Sequence, residues 1–155
     1  MQSDPLDQIL QTIDWSAFIP LLVAMVLGGV IGLEREIHQK AAGLRTIILI
    51  CTGAALFTIV ASSFGKDNGS TRVIQGVITG VGFIGAGAII RDRASVHGIT
   101  TAATIWLMTG IGIACGLGMY EIAIGATVLS LVVLGGLSPL DRRIQKPHHK
   151  PDIEE

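Results

Sequence analysis

The distribution of charged residues limits the fold of this chain more than any other feature of the sequence. Lys, Arg, Asp and Glu occur in short clusters, and long apolar stretches separate those clusters. A helix needs about 20 apolar residues to cross the roughly 30 Å of bilayer hydrocarbon. Charged residues make up 15% of the chain and mean hydropathy is +0.63, whereas a soluble domain is about a quarter charged. We therefore predict an all-α integral membrane protein, built as a polytopic bundle of transmembrane helices.

Five apolar stretches are long enough to be spans. The predicted spans are residues 15–33, 44–64, 73–90, 99–119 and 122–137. Only Tyr120 and Glu121 separate the last two, which predicts an antiparallel helical hairpin. Residues 1–14 form an extracytoplasmic segment in this scheme, and residues 138–155 form a solvated, disordered cytoplasmic tail. No Lys or Arg precedes Arg35, so we expect no cleaved signal peptide.

The positions of the basic residues predict the orientation in the membrane. With five spans, nine of the 11 Lys and Arg residues fall on the side of the C-terminus, and only Lys66 and Arg72 fall on the other. Cytoplasmic loops carry an excess of Lys and Arg. We therefore predict a multi-pass protein of the bacterial inner membrane, with its N-terminus outside and its C-terminus in the cytoplasm.

Glycines at helical spacing mark the third and fourth predicted spans. The glycines assigned to helix packing are Gly76, Gly80, Gly82, Gly85, Gly87, Gly110 and Gly112. Small residues let helix backbones approach closely in lipid, where packing drives association. Residues 80–85 also match the dinucleotide fingerprint GxGxxG, but they lie inside an apolar span and not between a strand and a helix. We assign this motif to helix packing.

A cluster of polar side chains at the predicted cytoplasmic face is the candidate site. It comprises Glu34, Arg35, Glu36, Arg45, Arg91, Asp92, Arg93, Thr100 and Thr101. Glu34 and Glu36 follow the C-terminal end of one helix and Arg45 begins the next, and each charge is disfavoured there by the helix dipole. We therefore expect Glu34 or Glu36 to pair with Arg45 or Arg93. The alternatives are independent anchors among the lipid headgroups, or carboxylates that bind a hard cation such as Mg²⁺.

Thr100 and Thr101 open the fourth predicted span. We expect threonine to cap the free amides of this helix. The same helix start could instead bind an anion or receive Asp92, because its dipole is positive.

The sequence carries no constellation that indicates catalysis. It has no GxSxG, HExxH or P-loop motif, and no histidine falls within a predicted span. We expect no enzymatic activity, no cofactor and no resident metal. The net charge of −1 gives no nucleic-acid footprint.

Four motifs, in this order, resemble the MgtC/SapB family of bacterial membrane proteins. They are residues 28–36 (GGVIGLERE), 42–46 (AGLRT), 82–87 (GFIGAG) and 98–106 (GITTAATIW). The resemblance covers residues 17–137. The positions that match the family motifs are Glu34, Arg35, Arg45, Arg91, Gly98, Thr100 and Thr101.

The resemblance implies a regulator linked to magnesium stress and, in pathogens, to virulence. Some members are described as modulating ATP synthase by contact, and many carry a soluble domain after the last helix, where this sequence has a short tail. The expected partners are membrane lipid, other membrane proteins such as ATP synthase or a transport ATPase, or a second copy of the chain. The alternative function is a small ion or solute transporter or channel, for Mg²⁺ or another cation.

Overall fold

The described part of the chain is a bundle of α-helices. The computed structural model describes residues 18–63, 69–92 and 95–136. The five helices within these ranges are α1 Ile19–Ile37, α2 Leu44–Ser62, α3 Gly69–Gly87, α4 Ile99–Gly116 and α5 Tyr120–Leu131. Helix α5 continues into a π-helical turn, Val132–Gly136, and a short antiparallel hairpin joins α3 to α4, with strands β1 Ile90–Arg91 and β2 Val96–His97. The predicted all-α class is confirmed.

The helix bounds differ from the predicted spans at several ends. Helix α1 continues one turn beyond Leu33, so three charged residues lie in its last turn. Helix α3 begins at Gly69 and ends at Gly87, because Ile90 pairs with His97 in the hairpin. Residues 1–14 and 138–155, predicted as terminal segments, lie outside the described residues.

The turn between α4 and α5 is shorter than a polar loop. Helix α4 is followed by Leu117 and Gly118, and the amide of Met119 donates to the carbonyl of Ala114 at 2.8 Å. Gly118 has φ +74°, a left-handed conformation that is typical of a glycine after a helix end. Tyr120 already belongs to α5, so the chain reverses within three residues.

Glycine contacts bring α2 close to α4. A Cβ atom on Gly112 would overlap the carbonyl oxygen of Cys51 and would lie 2.8 Å from Cβ of Ala54. One turn further along, a Cβ on Gly116 would lie 2.7 Å from the carbonyl oxygen of Ala55. The contacts advance in the same direction along both helices, so α2 and α4 run parallel.

Helix α1 packs antiparallel on α2, again through glycine. A Cβ on Gly28 would lie 3.1 Å from Cβ of Cys51, and a Cβ on Gly32 would lie 2.9 Å from Cα of Leu44. Helix α3 meets α4 near the loop that joins them, where a Cβ on Gly85 would lie 3.5 Å from the carbonyl oxygen of Ala102.

The buried hydroxyl groups are mostly bonded within their own helix. Five of these hydroxyl groups donate to the backbone carbonyl four residues earlier, at 2.6 to 3.0 Å. They belong to Thr58, Thr104, Thr109, Thr127 and Ser130. A hydroxyl bonded in this way needs no partner from another helix. The bundle core therefore holds few polar atoms that a ligand or ion would have to satisfy.

The outer surfaces of α1, α2 and α5 carry bulky apolar side chains. Examples are Val26, Leu49, Phe57, Ile124 and Leu129, all about half exposed or more. Helices α2 and α4 are long and apolar enough to cross a bilayer, and Tyr120–Gly136 forms a shorter apolar helix. Exposed apolar side chains in this number mark contact with lipid or with another protein.

Candidate functional site at the polar end of the bundle

The loop at residues 38–43 and the strands β1 and β2 lie at the same end of the bundle. Helices α2 and α4 start there and run parallel, while α1 and α3 end there. We call this the polar end of the bundle. All the predicted site residues that are described lie at this end, on three different helix termini and on the β1–β2 hairpin. Arg93 lies outside the described residues.

Glu34 and Arg35 form an ion pair in the last turn of α1. Nε of Arg35 donates to Oε2 of Glu34 at 2.7 Å, and Nη2 donates to Oε1 at 3.2 Å. Nδ1 of His38 lies 3.1 Å from Oε1 of Glu34 and 2.8 Å from its backbone carbonyl oxygen. The carboxylate of Glu34 is therefore engaged on both oxygens by its own helix end.

Arg35 is buried, with only 3% of its side chain exposed. It continues the buried stripe of α1 formed by Ala24, Gly28 and Ile31 at helical spacing. Its Nη1 atom is buried and has no hydrogen-bond partner. The sequence analysis placed Arg35 in the cluster but did not predict its burial. Arg35 is four residues after Ile31, which places both side chains on the same face of α1.

Glu36 caps the next helix. Its Oε2 accepts a hydrogen bond from the backbone amide of Leu44 at 2.9 Å. The first amides of a helix lack intrahelical partners, and the positive dipole end there favours an anion. Glu36 is thus unfavourably placed at the end of α1 but favourably placed for α2. A Cβ on Gly43 would overlap this carboxylate, so a larger residue at position 43 would displace it from the start of α2.

The expected pairing with Arg45 is not formed. Within the described residues, Glu34 is bonded to Arg35 and His38, Glu36 is bonded to the start of α2, and Arg45 is exposed. For Arg45 the prediction is wrong, because it treated the whole acidic cluster as facing the next helix; the alternative partner, Arg93, lies outside the described residues. Only the carboxylate of Glu36 reaches across, and it bonds to a backbone amide.

An open cleft lies beside this cap. It has a volume of about 700 Å³ and is lined by Glu36, Gln39, Lys40, Ala41, Gly43, Leu44, Arg45 and Thr46. Gln39 has φ +51°, which turns the chain sharply between α1 and α2. The cleft carries two cations and one carboxylate, and that carboxylate is already bonded.

The start of α4 is built differently from the prediction. Its N-cap residue is Gly98, which has φ +89° and offers no side-chain cap. A Cβ there would overlap the carbonyl oxygen of Ala88. Thr100 and Thr101 lie inside the first turn, so the expected threonine cap is wrong: Thr101 is buried, and the carbonyl of Thr100 accepts from Thr104.

Arg91 and Asp92 belong to the hairpin that precedes α4. Arg91 pairs with Val96 across the two strands, and the amide of Asp92 donates to the carbonyl of Ser95 at 2.9 Å. Both side chains lie on the surface. Among the described residues, no three His, Cys, Asp or Glu side chains come together as they would to hold a metal ion.

The predicted packing glycines divide into two groups. Gly85 and Gly112 lie against α4 and α2, respectively, whereas a Cβ on any of five others would meet no atom within 4 Å. The five are Gly76, Gly80, Gly82, Gly87 and Gly110. Three further glycines, Gly28, Gly32 and Gly116, make close contacts that the sequence analysis did not predict. Gly28 and Gly32 are four residues apart, as are Gly112 and Gly116, and this spacing places each pair on one face of its helix.

The described residues form a small helical bundle packed through glycine, with an apolar outer surface and with charges confined to helix ends and loops. The MgtC family profile matches residues 21–143. The chain belongs to the MgtC family.

Several proteins are similar to this chain. Protein MgtC of Salmonella typhimurium is 45% identical over 111 residues, which cover 72% of this chain and 48% of that protein. Protein MgtC of Brucella abortus is 42% identical over 117 residues, covering 76% and 49%. An uncharacterized protein of Synechocystis is 37% identical over 143 residues, covering 91% and 61%. The chain thus spans about half the length of the MgtC relatives it matches, and no solved structure matches it.

Proposed function

We propose that this protein is a multi-pass inner-membrane protein that supports adaptation to low magnesium or a related stress. Where the bacterium that carries it is a pathogen, the protein contributes to virulence. It acts by contact with other membrane proteins, such as ATP synthase or a transport ATPase, and catalyses no reaction. The observation that carries the proposal is the family match over residues 21–143, together with relatives named Protein MgtC.

The surface of the bundle supports a membrane location with five spans. Bulky apolar side chains cover the outer faces of α1, α2 and α5, which is favourable in lipid and unfavourable in water. The excess of Lys and Arg on the side of the polar end supports a cytoplasmic location for that end.

The location of the ionisable groups supports contact rather than transport. The Asp, Glu, Lys, Arg and His residues in the described ranges all lie in the first or last turns of helices or in loops. Transport pathways are usually marked by ionisable side chains within the membrane. Glu34 and Arg35 come nearest to the bundle core, and they neutralise each other.

The exposed face of α3 supports a contact surface. Gly76 and Gly80 leave open space on this face, and small residues allow close approach of another helix in lipid. We assign this surface either to self-association or to a larger membrane complex.

Growth in low magnesium tests the proposal. A strain lacking the chromosomal copy should grow poorly in limiting magnesium, and the intact chain should restore growth and co-purify with a membrane protein in mild detergent. Gly80→Leu should abolish association through the α3 face, whether with a differently tagged copy of the chain or with another membrane protein, while leaving the level of inserted protein unchanged. Gly125→Leu is the matched control, because Gly125 is also exposed with no neighbour within 4 Å but lies on α5. Normal growth of the deletion strain in limiting magnesium would refute the proposal.

A further inference from the structure

The exposed face of α3 differs in chemistry from the other exposed faces of the bundle. We define the α3 face by Gln75, Gly76, Thr79, Gly80 and Phe83, which are all exposed. The exposed faces of α1, α2 and α5 carry mainly Leu, Ile, Val, Met and Phe. Phe83 is the only large apolar side chain on the α3 face, and it is 86% exposed; the other large apolar side chains exposed on α3, Ile78 and Ile84, lie on either side of that face.

The polar groups of this face lie at depths where lipid offers no partner. Helix α3 has 19 residues, and at a rise of about 1.5 Å per residue it is about as long as the hydrocarbon is thick. Thr79 then lies near the middle of the membrane and Gln75 one turn nearer the outer end. In the described part of the chain no hydrogen bond is formed by the Gln75 amide, and an amide facing lipid without a partner is costly.

The length and apolarity of α3 lead to the same conclusion. Helices α2 and α3 both have 19 residues. Helix α2 is apolar enough to cross a bilayer by itself, whereas α3 is less apolar and does not reach that level. Only Gly85 of α3 is buried in the bundle. A helix with this composition is stabilised in a membrane when another helix covers its polar face.

We propose that a second copy of this chain covers the α3 face, forming a parallel homodimer through α3. The proposal rests on the membrane location assigned under the proposed function. Two copies inserted in the same orientation are related by a two-fold axis along the membrane normal, so each residue near the axis meets its own equivalent. A carboxamide is both donor and acceptor and therefore complements itself. Gln75 bonds Gln75 of the second copy, and Gly76 and Gly80 let the two backbones approach.

The charge on α3 lies where it does not prevent pairing with a second copy. Arg72 is the only charged residue of α3; it lies on the same side of the helix as Gln75 and Gly76, but in the first turn at the aqueous end, where water and salt screen its repulsion by the second copy's Arg72. The face thus carries no charge at membrane depth that would require a partner of opposite sign, while its self-complementary amide lies there.

Disulfide crosslinking in native membranes tests the dimer. Thr79→Cys places a thiol near the proposed axis, and oxidation should give a crosslinked dimer. Val128→Cys is the control, because Val128 is exposed near the middle of the continuous helical segment Tyr120–Gly136, outside the proposed interface. Both native cysteines are buried and are retained, so the unmodified protein measures their background.

A second pair of variants tests the role of the amide. In the Thr79→Cys protein, Gln75→Leu should weaken dimerisation by about three- to tenfold, the range expected for one or two interhelical hydrogen bonds in a membrane. Gln75→Asn should retain part of the crosslink. Crosslinking of Thr79→Cys no greater than that of Val128→Cys would overturn the dimer, and crosslinking unchanged by Gln75→Leu would overturn the role of the amide in it.

These outcomes are separate from those of the growth experiment. A protein that restores growth in low magnesium but gives no crosslink at position 79 would overturn the dimer and leave the proposed function standing. A crosslinked dimer in cells that need no such protein in low magnesium would refute the function and leave the dimer standing.

Discussion

The packing of α2 against α4 can be tested with two alanine substitutions two residues apart in the same helix. Gly112 and Gly110 both lie in the interior of α4, so Gly→Ala at either position gives the same gain in helix propensity, about 1 kcal/mol. At Gly110 the new methyl group meets no atom within 4 Å, whereas at Gly112 it overlaps the carbonyl oxygen of Cys51 and lies 2.8 Å from Ala54. The difference between the two variants therefore isolates the overlap.

The expected magnitude follows from the cost of overpacking. Inserting a methyl group into a well-packed core typically costs about 1 to 3 kcal/mol, and for a chain of this size each kcal/mol lowers the melting temperature by about 2 to 4 °C. We expect Gly112→Ala to melt about 6 °C below Gly110→Ala. The obstructing group is backbone, which cannot rotate away as the end of a side chain can.

Thiol reactivity provides the assay. Cys51 and Cys115 are both buried, so a thiol-reactive dye should label them only as the bundle unfolds in detergent. The two variants are heated side by side with the parental protein. Equal midpoints for Gly112→Ala and Gly110→Ala would refute the close approach of α2 and α4.

Three further outcomes are expected. Glu36→Ala should lower the free energy of unfolding by about 1 kcal/mol through loss of the cap on the first amide of α2, as measured by the same dye assay, while Lys40→Ala at an exposed position should leave it unchanged; equal effects would contradict the cap. Gln39→Cys should be labelled by a membrane-impermeant reagent only after the cells are opened, and Gly69→Cys in intact cells; the reverse pattern would contradict the orientation. Arg35→Ala should sharply reduce the amount of folded protein, by a loss of about 3 to 5 kcal/mol, because it leaves a largely buried carboxylate without its cation; normal accumulation would contradict the buried ion pair.

The helical framework could be read from the sequence because it depends on long apolar stretches interrupted by charge. Such stretches fix where helices form, and the all-α class follows from them. Their ends were less predictable, because the last turn of α1 contains Glu34, Arg35 and Glu36. A cluster of charged residues predicts a loop when the partners of the charges are unknown. Here Glu34 and Arg35 bond to each other within the helix end, and Glu36 bonds to the start of α2.

The site was less predictable than the fold because its contacts depend on side-chain direction. Sequence reasoning found that Glu36 and Arg45 oppose their helix dipoles, but the position of Arg45 on an exposed face appears only in three dimensions. The glycines show the same limit. Gly80 and Gly112 look alike in the sequence, but only Gly112 faces a neighbouring helix of the same chain.

Magnesium flux into vesicles tests most directly whether the protein acts by contact or by transport. The purified intact chain is reconstituted into vesicles that contain a magnesium-sensitive dye, and Mg²⁺ is added outside. We predict no uptake above that of vesicles without protein, because the described helices carry no acidic or basic side chain at mid-membrane depth. A saturable uptake that is lost in Asp92→Asn would contradict this account and identify the protein as a transporter.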